Sequence, residues 1–229
     1  MAKYWDKPTY ELRSHSGKRI VVDVTTSAAP GLPPSRVVIE KLIPFLKKRN
    51  VRTVLDFGAG ALRHTVALLD AGFEVCAVEF EEALIKPRSS KVRAQVQKHP
   101  NFSALVWPRG FINDKRKFDA ALLVYVIQVM PVPKERAAVI KHVRKKLKSD
   151  AYLFYAARYG QVTPEDSKHR VSDGYYRWPS RKAHSFYREF TTEATHMLFA
   201  RHKLHYIRHM SERGTDQMLL YAKGKGTWI

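Results

Sequence analysis

Short uninterrupted apolar runs alternate with segments of helical period along most of the chain. Thr53 to Phe57, Glu74 to Val78, Ser103 to Trp107, Ala120 to Val126 and Ala151 to Ala156 are too short for helices. They also lack strict polar alternation, so they read as strands buried on both faces. After Pro34, Ser35 is placed to cap a helix in which Val38, Leu42 and Phe45 recur at helical spacing beside Ile39, Ile43 and Leu46. Pro44 bends or shortens it. Further helices are predicted at Leu62 to Ala71, at Lys134 to Leu147 with Ile140, Val143 and Leu147 inward, and from near Thr192.

Two last strands, around Leu204 to Arg208 and from Gln217 to Ala222, are joined by a short connection through residues 211–216, which predicts an antiparallel pair at the sheet edge. The fold class is therefore α/β: a doubly wound, mostly parallel seven-stranded sheet with a C-terminal antiparallel hairpin and helices on both faces. Residues 1–34 form an N-terminal extension with a short strand at Arg19 to Val24, ending in the breaker-rich SAAPGLPP. Residues 35–223 form the main domain, with an insertion at about 157–190 where periodicity is lost, and 224–229 are a tail. A loop of that length in a compact domain is a functional candidate.

With 229 residues, 45% of them hydrophobic, the chain has material for one packed core and is not a disordered polyelectrolyte. The uncharged stretch from Ala120 to Pro133 is shorter than the ~20 apolar residues of a membrane span. The N-terminus has no apolar run behind its charges, so a cytoplasmic protein without membrane partners is expected. The single cysteine, Cys76, sits among Phe73, Val75, Ala77 and Val78 and reads as a buried thiol. His205 and His209 fall on or near a strand, where a spacing of four does not bring side chains together, and no metal site is expected.

The most informative segment is Val54-Leu55-Asp56-Phe57-Gly58-Ala59-Gly60, followed by a helix and a strand ending in Glu79. A glycine turn between strand and helix lets a ligand approach the backbone, and an acid about 20 residues on accepts bonds from a ribose. Arg63 occupies the third glycine position of a dinucleotide fingerprint, which argues against that cofactor. Glycines after a strand also make plain turns, and Glu79 alone also reads as a strand end. Their joint placement in one βαβ unit favours a ligand.

Together with Asp56 two residues before Gly58 and the terminal hairpin, this constellation resembles the class I S-adenosylmethionine-dependent methyltransferases over Ser35 to Lys223. The resemblance implies S-adenosylmethionine as cofactor. It implies that Phe57, Gly58, Ala59 and Gly60 pass beside its methionine part and that Asp56 holds the amino-group region. Glu79 takes the ribose hydroxyls and Phe80 lies against adenine. Gly110 and Phe111 edge the adenine pocket, although Trp107 and Pro108 stand where the commoner pattern has Asp or Asn, and Tyr125 faces the cofactor.

No catalytic residue is assigned; Tyr125, His64, Tyr175, Tyr176 and His184 are candidate bases. The Asp/Asn-Pro-Pro-aromatic motif of base-amino methylases, the cysteine of cytosine-C5 methylases and the lysine-acid set of ribose 2′-O-methylases are missing. Lys and Arg number 41 against 21 Asp and Glu, a formal charge of +20. In the 157–190 insertion, Tyr175, Tyr176, Arg177, Trp178, Arg181 and Tyr187 interleave aromatic and cationic groups and are the candidate substrate residues, in a pattern that suits nucleic acid. A methyltransferase acting on or bound to nucleic acid is the leading expectation. A small-molecule methyltransferase and a catalytically silent subunit that binds nucleic acid or a partner protein are the alternatives.

Overall fold

The computed structural model describes residues 7–27, 32–85, 87–177, 183–211 and 216–224, with main chain only at 87–89. Five parallel strands form the centre: β3 (Thr53–Phe57), β4 (Glu74–Glu79), β5 (Phe102–Val106), β6 (Phe118–Val124) and β7 (Leu147–Arg158). The last two strands are β11 (His205–His209) and β12 (Asp216–Ala222), and the order across the sheet is β11-β12-β7-β6-β3-β4-β5. β12 runs antiparallel to both neighbours, so the terminal pair extends the sheet from β7 and leaves β11 at the edge.

Side-chain alternation sends Val54, Ala77, Leu122 and Phe154 to one face and Leu55, Cys76, Leu123 and Tyr155 to the other. The first face is covered by α1 (Ile43–Lys48) and α2 (Arg63–Asp70), through Leu46, Leu68 and Leu69. The second is covered by α6 (Pro133–Lys146) and α7 (Thr192–Ala200), through Val139, Ile140, Val143 and Phe199. Two short helices between β4 and β5, α3 (Glu81–Leu84) and α4 (Pro87–Val96), and α5 (Arg109–Asn113) after β5 carry too weak a period to be read from sequence.

Several boundaries shift for identifiable reasons. Ser35 does not cap with its hydroxyl; its main-chain carbonyl accepts from Val38 and Ile39 N–H at 3.0 and 3.2 Å. A π turn over Val38–Leu42 then feeds α1 just ahead of Pro44, whose nitrogen cannot donate. β6 stops at Val124 because Tyr125 takes a left-handed φ of 60°. β7 runs past the expected Ala151 to Ala156 at both ends, because Leu147 pairs with Phe118 of β6 and β12 pairs as far as Arg158.

The stretches outside the sheet form one structure. Residues Thr9–Arg13 (β1) and Arg19–Asp23 (β2) make a hairpin, of which the sequence reading found only the second strand. The insertion holds β8 (Arg170–Val171), β9 (Gly174–Arg177) and β10 (Ser185–Tyr187), paired in the order β10-β9-β8. Bridges Ser14–Val171 and Val22–His184 join the two pieces, and Tyr10, Ile20, Val22, Val171, Tyr176 and Phe186 make a small core between them. This cap is fastened to the sheet body. Tyr10 Oη donates to Glu135 Oε2 at 2.6 Å, Ser172 Oγ to the Pro131 carbonyl at 3.0 Å, and both Arg136 and Arg188 pair with Asp173.

Gly174 lies at the tightest point of the cap. A Cβ there would stand 2.5 Å from both Phe186 Cζ and the Tyr187 carbonyl oxygen. Backbone cannot yield as a side-chain tip can, so Gly174→Ala is expected to cost about 1–3 kcal/mol. Limited proteolysis should show faster cleavage within the cap; cleavage and denaturation midpoints equal to the parent would contradict this packing.

Candidate active site

Strand order reverses between β3 and β6, and the crevice beyond their carboxyl ends is where open α/β sheets place ligands. The main cavity lies there. Its floor is Phe57 at the end of β3 and Gly58, Ala59, Gly60 and Ala61 after it, with Val78, Glu79 and Phe80 around the end of β4. Gly58 and Ala59 N–H both donate to the Val78 carbonyl, at 2.8 and 3.2 Å, which presses the turn against β4. Gly58, Gly60 and Leu62 take left-handed φ angles of 72°, 53° and 63°, and a Cβ on Gly58 would sit 2.3 Å from Val126 Cγ2. The glycine is thus required both by backbone conformation and by the close approach of the segment after β6.

Glu79 joins the two halves of the floor. Its Oε2 accepts from Gly60 N–H at 2.9 Å and its Oε1 from Phe80 N–H at 2.8 Å. Held in this way, the carboxylate lines the cavity. Trp107 closes this end, its ring 5.1 Å from Phe57 and 5.8 Å from Phe111.

Among the expected cofactor residues, Phe57, Gly58, Ala59, Gly60, Glu79, Phe80 and Tyr125 line the cavity; Asp56, Gly110 and Phe111 do not. Asp56 is 1% exposed and accepts from Thr65 Oγ1 at 2.7 Å, so its carboxylate braces the turn against α2 from behind. Burial pushes its pKa up to about 6, against the opposing pull of Thr65 and Arg63. Phe111 is buried beneath Trp107 and Phe57, and Gly110 packs on Leu105, so both support the wall without forming it.

Of the expected substrate residues, Arg177 and Tyr187 line the cavity. Tyr176 is packed in the small core of the cap and Tyr175 is not on the lining. Trp178 and Arg181 lie outside the described residues. Arg177 is held bidentate by Asp166 at 3.0 and 2.7 Å and stacks 4.6 Å from the Tyr187 ring.

The remaining candidate bases are poorly suited to the task. His64 lines the cavity, but its Nε2 accepts from Ser35 N–H at 3.3 Å, and burial with Arg63 beside it depresses its pKa to about 3. Tyr125 donates to Asp216 at 2.5 Å, and its ionisation is pushed well up by burial and that carboxylate. His184 is absent from the lining and sits 5.0 Å from the Tyr176 ring.

The cap supplies what sequence reasoning missed: Tyr10, Val24, Thr25, Thr26, Ser185 and Phe186 all face the cavity. Tyr10 is hydrogen-bonded to Glu135, which is 2% exposed and whose pKa burial raises. Gln128 adds a polar group from beyond β6. Its Oε1 accepts from Arg158 N–H at 2.7 Å, which leaves Nε2 as the donor it offers the cavity. Among the described residues, no group of three metal-ligating side chains occurs, and no helix is long and apolar enough to cross a membrane.

Residues 55–153 match the model of a methyltransferase domain. No curated protein matches the chain. Solved structures match it in 1126 chains, so the fold is common and does not by itself choose a substrate. One is the 1,6-didemethyltoxoflavin-N1-methyltransferase of Burkholderia thailandensis, solved with bound 1,6-didemethyltoxoflavin and S-adenosylhomocysteine. It is 18% identical with a TM-score of 0.61, covering 84% of this chain and 80% of that one. A second is an S-adenosylmethionine-dependent methyltransferase from Clostridium acetobutylicum, 13% identical with a TM-score of 0.63, covering 82% and 92%. A third is the magnesium protoporphyrin IX methyltransferase of Synechocystis with bound S-adenosylhomocysteine, 13% identical with a TM-score of 0.57, covering 81% and 82%.

The brace at Asp56 predicts a pH dependence. Its folded pKa of about 6 lies above the ordinary aspartate value of ~3.9, so the folded state holds the extra proton between these values. Its contribution is most favourable below pH ~4 and is lost as pH rises through about 6. Asp56→Asn keeps an acceptor for Thr65 and should flatten that stretch of the stability curve; an unchanged slope between pH 4 and 6.5 would contradict the assignment.

Proposed function

With residues 55–153 forming a methyltransferase domain in a chain of the class I methyltransferase fold, we propose that the protein transfers a methyl group from S-adenosylmethionine to a small-molecule acceptor enclosed between sheet and cap. The single observation that carries this reading is the continuity of the cavity. It runs from the glycine turn and Glu79, across the end of β6, to the inner face of the cap. One opening holds a nucleoside end, with a carboxylate and an aromatic wall, and an acceptor end roofed by Tyr10, Phe186 and Tyr187.

The residues fit that cofactor. Glu79 offers its carboxylate to the ribose hydroxyls, Phe80 and Trp107 flank the base, and the Gly58–Gly60 backbone leaves room for the methionine part. When bound, the cofactor supplies an electrophilic methyl on a sulfonium. The chain's contribution is alignment of the acceptor, which alone can account for much of the barrier reduction. Gln128 Nε2 orients a hydrogen-bond acceptor on the substrate. Where the acceptor atom carries a proton, Tyr10 Oη takes it while its own proton passes to Glu135 Oε2, 2.6 Å away.

A nucleic acid as methyl acceptor is the weaker reading. Of the insertion's cations, Arg177 and Arg188 are committed to Asp166 and Asp173, and the cap covers the acceptor end. The toxoflavin and porphyrin methyltransferases of like fold are named for small molecules as well.

Calorimetric titration with S-adenosylhomocysteine should show binding that Glu79→Ala weakens at least tenfold. Absence of binding to the parent protein would favour a silent subunit. Incubation of fractionated cell extract with methyl-labelled cofactor should place the label in small molecules, and label in nucleic acid would overturn the acceptor assignment. Tyr10→Phe should lower turnover at least tenfold with S-adenosylhomocysteine affinity retained; full turnover would remove Tyr10 from the proton route.

A further inference from the structure

The parallel strands β3 to β7 and β11 all begin at one end of the sheet, and the cavity lies at the other. Nearly every connection that enters this amino end is basic. Lys47, Lys48, Arg49 and Arg52 precede β3, Lys98 precedes β5, and Lys115, Arg116 and Lys117 precede β6. Arg144, Lys145, Lys146 and Lys148 surround the start of β7, Arg201 and Lys203 precede β11, and Lys223 follows β12.

Few carboxylates answer them. Asp114 pairs with Arg116 at 2.9 Å and Asp119 with Lys148 at 2.7 Å. Lys117, Lys146 and Lys223 donate to main-chain carbonyls of Lys145, Asp114 and Leu147, bonds that fix the side chains without neutralising them. A large share of the +20 formal charge is therefore gathered on one face by the topology of the sheet.

We propose that this amino-end face docks the phosphate backbone of duplex nucleic acid, leaving the cavity free on the far side. Seven strands at ~4.8 Å spacing make a face about 29 Å wide, which spans about eight base pairs at 3.4 Å each. Of the exposed aromatic side chains, Tyr159 follows β7 at the far end, and Tyr206, near the start of β11, packs against His196 with ring centroids 4.3 Å apart. Phe45 and Phe118 at this end are covered by Arg49 and Arg116. Among the described residues this end offers many cations and one exposed ring, Tyr206, which His196 already engages, so it reads chiefly backbone charge and a duplex is favoured over a single strand. The partner is a tether and not the methyl acceptor, and the inference does not depend on the acceptor's identity.

Fluorescence anisotropy with a labelled 24-base-pair DNA duplex of mixed sequence tests this on the full chain. The parent protein should bind with a log–log salt slope of about −4 or steeper. A parent slope shallower than about −2, or no binding at 50 mM salt, overturns the proposal without any variant. Combining Lys47→Glu, Lys48→Glu, Lys115→Glu and Lys145→Glu should weaken binding at least 100-fold and make the slope shallower by about 4. These residues are exposed, so thermal unfolding should stay at the parent temperature.

An equal reversal on the cap, Arg13→Glu, Lys18→Glu, Lys168→Glu and Arg170→Glu, should cost less than tenfold. Equal losses in both variants would mean diffuse attraction and overturn the assigned face. Binding to phosphatidylserine vesicles with none to the duplex would overturn the assigned partner.

Discussion

The bond from Gly60 N–H to the Glu79 carboxylate fixes the end of β4 to the tip of the turn after β3, and the cavity is organised around it. With Val78 accepting from Gly58 and Ala59, it sets how far the turn rises above the sheet. That height lets Val126 approach Gly58 within the distance only a glycine allows, which in turn places Tyr125 and Gln128 on the cavity. The carboxylate thus has a structural partner on each oxygen before any ligand arrives. A preorganised acceptor costs less to dock against than one that must be recruited.

The second determinant is the cap. Its two halves are distant in sequence, yet Tyr10, Ile20 and Val22 from one and Val171, Tyr176 and Phe186 from the other share one small core. Glu135 and Asp173 stitch that core to α6 and to Arg136 and Arg188. The cap side of the cavity is therefore shaped by elements that belong to neither the sheet nor its covering helices. Enzymes of one fold can diverge in substrate while the nucleoside end stays the same.

The sheet was legible in the sequence because its strands are buried on both faces and announce themselves as apolar runs, from Val54-Leu55 to Leu153-Phe154. The turn glycines and Glu79 were legible because their chemistry is local. Asp56 misled because spacing says that a carboxylate is near a turn but not which way it points, and Thr65 on α2 captures it. Tyr10 was invisible: β1 is a short edge strand, and its role comes from a partner 125 residues away. In the insertion, two- to four-residue strands are shorter than any window in which period can be read. Charge was legible in amount but not in place, since only the strand directions reveal which connections share an end.

The long sequence gap within the cap has a consequence for synthesis. The β1–β2 hairpin leaves the ribosome well before its partners, since the strands that cover Ile20 and Val22 follow some 150 residues later. At about 5–20 residues per second the wait is roughly 8–30 s, during which a two-stranded ribbon of marginal stability presents its apolar side to the surroundings. The nascent chain thus passes through an interval in which a holdase is most useful, and it ends only when the insertion arrives.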